Sequence, residues 1–310
     1  MLKLGIQTQH ILTDDNLVEG FQMIRNAGFD CVDFSLHQYL LNVNIYQDRL
    51  NNFFDQSIDE LEKFFQQHKS AAENAEIKIH QMHMPYPVFV EMSKNNDYLE
   101  KVMAVKSLQI CSLLNCKYIV IHGIKLTNFI GSEELEWQQT RSFLEKLAPL
   151  ARELNIIMCV ENLYNSTAKH LTEGPCCNAK KMIERIDQFN DKFKSEVLGF
   201  CFDTGHANLL GLDFEKFITT LGDRLKVLHI HDNDGVRDLH QVPFTFAKHR
   251  ENPSTTDWNG FINGLKNIHF DKVLNFETGS VMNAFPQELK QDVLIFLAKI
   301  GKYFADKLTA

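Results

Sequence analysis

No apolar run in this chain approaches the ~18 residues that a membrane-crossing helix needs, so no membrane association is expected. Basic residues are in deficit: 32 Lys and Arg stand against 40 Asp and Glu, a formal net charge of −8. The chain therefore lacks the positive footprint on which nucleic-acid affinity rests, and no nucleic-acid partner is expected. No glycine-rich phosphate cradle is present, so nothing local argues for a phosphate on the ligand. The seven cysteines form no CxxC pair and no even framework, which points to reduced thiols in the cytoplasm. Cys176 and Cys177 are adjacent in a loop, either a soft-metal pair or bystanders. The start, MLKLGIQTQ, reads as a strand and lacks the charged opening and long apolar stretch of a signal peptide. No Pro-, Gly- or Ser-rich linker divides the chain, so residues 1–310 read as one domain.

What is present is a regular alternation. Short apolar or β-branched runs recur at about 2–8, 29–35, 77–84, 117–122, 156–161, 197–203, 226–231 and 272–277. Amphipathic helical patterns lie between and after them, near 15–27, 57–75, 97–115, 132–154, 178–190, 213–222, 257–268 and 286–305. Asp14 and Asp15, Ser132 and Asp257 stand where helix caps belong. Eight βα units with continuously apolar strands predict an α/β fold closed as a (β/α)8 TIM barrel. The loops after strands 2, 5 and 7, at about 36–56, 162–177 and 232–256, are long and follow strand C-termini, the catalytic face of such barrels. The first holds His37, Tyr39 and Tyr46, a mix suited either to ligand hydroxyls or to a solvated surface.

The strand ends carry the chemistry. His83, His122, Glu161, Asp203, His206, His231 and Glu277 all close or follow apolar runs. A charged group at the edge of an apolar core costs several kcal/mol unless it is paired or bound to metal. Glu161, Asp203, His231 and Glu277 come from four neighbouring strands and would converge on one point. Hard carboxylate oxygens mixed with imidazole suit one divalent ion such as Mn, Zn, Co or Mg. His229 is assigned to the opposite side of its strand from His231, facing core or helix, and His80 is read as similarly bland.

The motifs VEN at 160–162, FDTGHA at 202–207, HIHDNDG at 229–235, DLH at 238–240, DW at 257–258 and FET at 276–278 carry a family resemblance. Together they resemble the xylose isomerase-like TIM barrels, which group sugar isomerases and epimerases with endonuclease IV. The resemblance covers essentially the whole chain. It implies Glu161, Asp203, His231 and Glu277 as metal ligands, with Glu161 and Glu277 also serving as the acid/base pair. His206 would contact substrate or a further metal. His83, His122, Asp238 and His240 fall where endonuclease IV binds further zinc ions, but sugar-acting relatives use such groups for substrate hydroxyls. The segment 245–256, TFAKHRENPSTT, departs from the short glycine-containing turn of the sugar-acting relatives.

These readings imply a metal-dependent sugar or sugar-phosphate isomerase or epimerase. Two carboxylates would move a proton beside a carbonyl while the cation stabilises the resulting enediolate. The expected partner is a small carbohydrate, and pairing into a homo-oligomer is common in such barrels. Two other readings remain at this stage: a zinc-dependent abasic-site nuclease and a non-catalytic sugar-binding barrel.

Overall fold

The structure, a computed structural model, describes residues 2–126, 132–167, 170–246 and 255–309. Among the described residues ten strands follow one another: β1 (Lys3–Gln7), β2 (Cys31–Ser35), β3 (Lys78–His83), β4 (Tyr118–Ile121), β5 (Ile157–Glu161), β6 (Tyr164–Thr167), β7 (His170–Glu173), β8 (Leu198–Asp203), β9 (Leu225–His229) and β10 (Val273–Phe276). Eight of them form one parallel sheet in the order β10-β1-β2-β3-β4-β5-β8-β9. Its two edges meet at a parallel bridge between Ile230 and Phe276. There Ile230 N–H donates to the Asn275 carbonyl at 2.9 Å and Glu277 N–H to the Ile230 carbonyl at 3.1 Å. Eight strands with intervening helices and a closing bridge are the (β/α)8 barrel that the alternation predicts.

Burial explains why these strands read as continuous apolar runs. Every residue of β2, β5, β8, β9 and β10 is buried, because one face meets the barrel interior and the other meets helices. The outer interface is rich in fully buried phenylalanines, among them Phe21, Phe34, Phe65, Phe200, Phe261 and Phe304. Inside the barrel a small separate cluster of Val120, Ile157, Cys159, Cys201 and Val227 forms the floor, with Tyr118 packed against it. A polar layer of Gln7, Asp33, Gln81 and Asn275 lies above that floor, also buried.

The helices carry local signals of their own. Ser57 and Glu60 form a reciprocal capping box at the helix Ile58–Asn74, and Asp257 accepts from Gly260 N–H at the helix Trp258–Asn267. Three expectations are corrected here. Asp14 does not cap the first helix, which starts at Leu17; its carboxylate instead accepts from Tyr39 Oη at 2.9 Å and faces His68 Nε2 at 3.0 Å. Tyr39 is thereby packed among Phe53, Phe64 and Phe65 and is not a ligand contact. The loop after β5 is partly ordered as the antiparallel hairpin β6–β7. Of the segment 245–256, residues 247–254 lie outside the described residues, so the expectation that it forms a substrate rim is not addressed. Among the described residues no helix is long and apolar enough to cross a membrane.

Candidate metal centre and active site

The strand ends deliver their polar groups to one mouth. Glu161 ends β5, Asp203 ends β8, His229 ends β9 and Glu277 follows β10. One ligand atom from each lies within 4.8 Å of the others, close to the spacing of atoms that share an ion through bonds of about 2.1 Å. His229 Nδ1 is the focus, 3.2 Å from Glu161 Oε1, 3.2 Å from Glu277 Oε2 and 4.0 Å from Asp203 Oδ2.

This corrects the side of the strand on which His229 was expected. Residues two apart on a strand share a face, so His229 and His231 both point inward at different heights. His231 belongs to a separate group with Asp238 and His240. Its Nε2 lies 2.9 Å from Asp203 Oδ2 and its ring stacks on His240 at 4.0 Å. His80 does stay out of the centre, tilted against Tyr118.

Local sequence sets these positions. Asp203 is both a strand end and the cap of the short helix Thr204–Leu209: Oδ1 accepts from His206 N–H at 2.6 Å while Oδ2 faces His231. Thr204 ties this turn to the neighbouring strand, donating to the His231 carbonyl at 2.7 Å and accepting from His231 N–H at 2.9 Å. Gly205 gives clearance, since a Cβ there would sit 1.9 Å from the His231 ring. Asn162 of the VEN motif clasps β8 through two 2.9 Å hydrogen bonds with the Asp203 backbone.

The remaining predicted residues surround the centre. His122 Nε2 lies 3.1 Å and His83 Nε2 3.8 Å from Glu161 Oε2. His206 Nδ1 lies 3.3 Å from Glu161 Oε1, and its Nε2 is 3.3 Å from Asp238 Oδ2. His240 Nε2 is 3.2 Å from Asp238 Oδ2. Tyr86 stacks on His37 and packs tilted against His122, forming an aromatic wall. Cys176 and Cys177 are buried away from any such group; burial raises both thiols, Cys176 to about 12, and Cys177 Sγ donates to the Leu163 carbonyl, so they are bystanders.

Two supporting residues lie outside the set expected from the sequence. Asp33 interrupts the apolar run CVDFS and is fully buried. Its Oδ2 is 3.0 Å from His229 Nε2 and also accepts from Gln81 at 3.1 Å. A carboxylate on the far nitrogen of an imidazole fixes which nitrogen faces the centre, here Nδ1. Gln7 of β1 donates to Glu277 Oε1 at 2.5 Å.

The electrostatics show an excess of negative charge. Burial pulls down the affinity of His206, His229 and His240 for a proton, yet the surrounding carboxylates outweigh it. Asp203 and Asp238 raise His206, Glu277 and Glu161 raise His229, and Asp238 lifts His240 to about 10. Burial likewise disfavours the Glu161 anion, but His229 and His122 hold it well below the usual range. His122 goes the other way: burial pushes it down to about 4 despite Glu161. Glu161 Oε2 is buried and, although His122 Nε2 approaches it to 3.1 Å, the geometry is not that of a hydrogen bond, so it has none among the described residues. Clustered buried carboxylates with an unsatisfied oxygen are the donor set that a divalent cation fits.

A cavity of about 440 Å³ opens above the centre, lined by Glu161, Glu277, His83, His122, His206 and His240 among others. Residues 21–299 match the family described as Xylose isomerase-like TIM barrel. The chain belongs to that family. An inosose isomerase from Bacillus velezensis is 22% identical over 282 residues, spanning 89% of this chain and 88% of that protein. An uncharacterized protein, y4fM, from Sinorhizobium fredii is 28% identical over 120 residues, 39% of this chain and only 35% of its own length. Among solved structures, a D-psicose 3-epimerase with D-fructose superposes at a TM-score of 0.65, with 14% identity, 98% of this chain and 99% of that one. The IOLI protein with a zinc atom superposes at 0.67, with 16% identity, 99% of this chain and 98% of that one.

Proposed function

We propose that the protein is a divalent-metal-dependent isomerase or epimerase of a small carbohydrate, and that it works in the cytoplasm. One observation carries the reading. Glu161 and Glu277 arrive from strands on different sides of the barrel and flank His229 Nδ1 at 3.2 Å each, at the base of a ligand-sized cavity. A proton on carbon beside a carbonyl is weakly acidic, so its transfer needs a base on one side and an acid on the other. The two glutamates take those roles. His229 and His122 hold Glu161 in the anionic form that a base must have. Glu277 is steadied by Gln7.

Glu161, Asp203, His229 and Glu277 would hold one Mn, Zn, Co or Mg ion, which supplies positive charge against the negative charge that builds on substrate oxygens. His83, His122, His206, Asp238 and His240 bind hydroxyls, since imidazole and carboxylate both hydrogen-bond polyols. The relatives' printed names support this reading: an inosose isomerase and a D-psicose 3-epimerase share the family or the fold. The seven unpaired thiols agree with a reducing compartment.

The test is solvent deuterium incorporation on a panel of ketoses and ketose phosphates, followed by NMR, together with elemental analysis of purified protein. Exchange beside the carbonyl and about one tightly held ion per chain are expected. About three zinc ions per chain, with cleavage of an abasic duplex, would overturn the sugar reading in favour of the nuclease.

A further inference from the structure

The cavity above the centre holds one cation that the catalytic arrangement does not use. Lys125 lies just beyond β4, partly buried in the cavity wall. Its Nζ sits 4.8 Å from the centroid of the Tyr164 ring, and Tyr164 in turn packs against His206. Among the described residues the ammonium has no hydrogen-bond or ion-pair partner. Burial disfavours its charge, and the more distant Asp238, Cys177, Glu161 and Glu136 do not make up the loss. Glu136, the buried carboxylate on that side, is engaged through Oε1, which accepts from Leu126 N–H at 2.8 Å and from Asn165 at 3.1 Å; its Oε2 has no hydrogen bond among the described residues and makes no ion pair with Lys125. A charge desolvated in this way is satisfied by an opposite charge brought with the ligand.

We propose that Lys125 is a specificity-determining residue that binds a carboxylate at the end of the substrate remote from the reacting carbon. The substrate class is then an acidic sugar, a keto sugar oxidised to a carboxylate at its far terminus. This rests on the isomerase reading and narrows it. A carboxylate fits better than a phosphate for two reasons. Among the described residues Lys125 is the single Lys or Arg lining the cavity, whereas a phosphate near two negative charges gathers several cations or a cradle of backbone N–H groups. The mouth is also already rich in carboxylates, which a dianion would meet at greater cost than a monoanion.

The experiment compares D-fructose, its C6 carboxylate D-fructuronate and fructose 6-phosphate on the protein purified with its metal. Calorimetric Kd values are measured for wild type, Lys125→Met and Lys125→Arg, with melting temperatures as a check on folding. Wild type is expected to bind fructuronate about tenfold more tightly than fructose, the worth of one charge-assisted hydrogen bond. Lys125→Met brings the ratio close to one, and Lys125→Arg keeps most of it. Equal affinities in wild type, or a ratio that survives Lys125→Met, overturn the proposal. Tighter binding of the phosphate than of the carboxylate, lost in Lys125→Met, overturns the choice of carboxylate. Deuterium exchange on the same three compounds is read separately: if none exchanges, the isomerase reading fails while the binding ratios still decide the role of Lys125.

Discussion

At the floor of the barrel, Val120, Cys159, Cys201 and Val227 fill the interior with groups that need no partner. Two residues further along the same four strands, His122, Glu161, Asp203 and His229 fill it with groups that cannot be left without one. The backbone and the face are the same, and all but His122 are buried; the levels differ in height. Stability and chemistry are thus separated along each strand by one step of the pleat. Substitutions at the two levels should act on different observables.

The largest effect is expected at the mouth. Glu161→Gln and Glu277→Gln should each lower turnover more than about 10³-fold, in the upper range for a lost acid or base. Melting should stay within a few degrees, because each change removes a negative charge from a cluster already too negative. Steady-state kinetics and thermal melting check it, and near-wild-type turnover in either variant would remove that residue from proton transfer.

The floor should answer in the opposite way. Ile157→Ala is expected to cost about 2–4 kcal/mol of stability through lost burial and a residual cavity. The folded protein should keep its turnover within about twofold. Urea titration with activity per folded molecule measures both; a tenfold loss of turnover at unchanged stability would show that the two levels are not separable.

Between the two lies the polar layer, and Asp33→Asn tests whether it belongs to the mouth or the floor. If Asp33 orients His229, metal affinity should fall about 10- to 100-fold. Competition with a chelator gives the number, and an unchanged affinity would assign Asp33 to packing alone.

The smallest effect is expected outside the barrel, where Arg185 and Lys181 pair with Glu133. Partial burial raises the Glu133 carboxyl, but the two cations outweigh it and hold it below its ordinary 4.5. A lowered carboxyl adds stability above the unfolded value and loses it as pH falls through the folded one. Glu133→Gln should therefore cost less than about 1 kcal/mol at neutral pH. That difference should shrink as pH is taken below about 4.5; urea midpoints across that range would show the trend, and a difference that grows on acidification would contradict it.

Most of the barrel was legible in the sequence because each strand is buried on both faces and therefore reads as an unbroken apolar run. The expected 197–203 and 156–161 became Leu198–Asp203 and Ile157–Glu161. The hairpin β6–β7 was not legible, since its mostly polar sequence carries no such run. Within the site, Glu161, Asp203 and Glu277 stand out as carboxylates that end apolar runs. His229 was misplaced because its partner at two residues' distance looked like the better ligand, although both share one face. Asp33, Gln7 and Gln81 sit inside strands, where their meaning depends on which distant side chain lies across the barrel.

The contacts that complete the centre join the beginning of the chain to its end. Gln7 reaches Glu277 across 270 positions and Asp33 reaches His229 across 196. During synthesis, then, the four-donor centre does not exist until the last strand has left the ribosome and docked beside the first. If the centre takes an ion as proposed, its capture would report that β10 has docked beside β1, and a product that lacks β10 would be marked by weak metal retention.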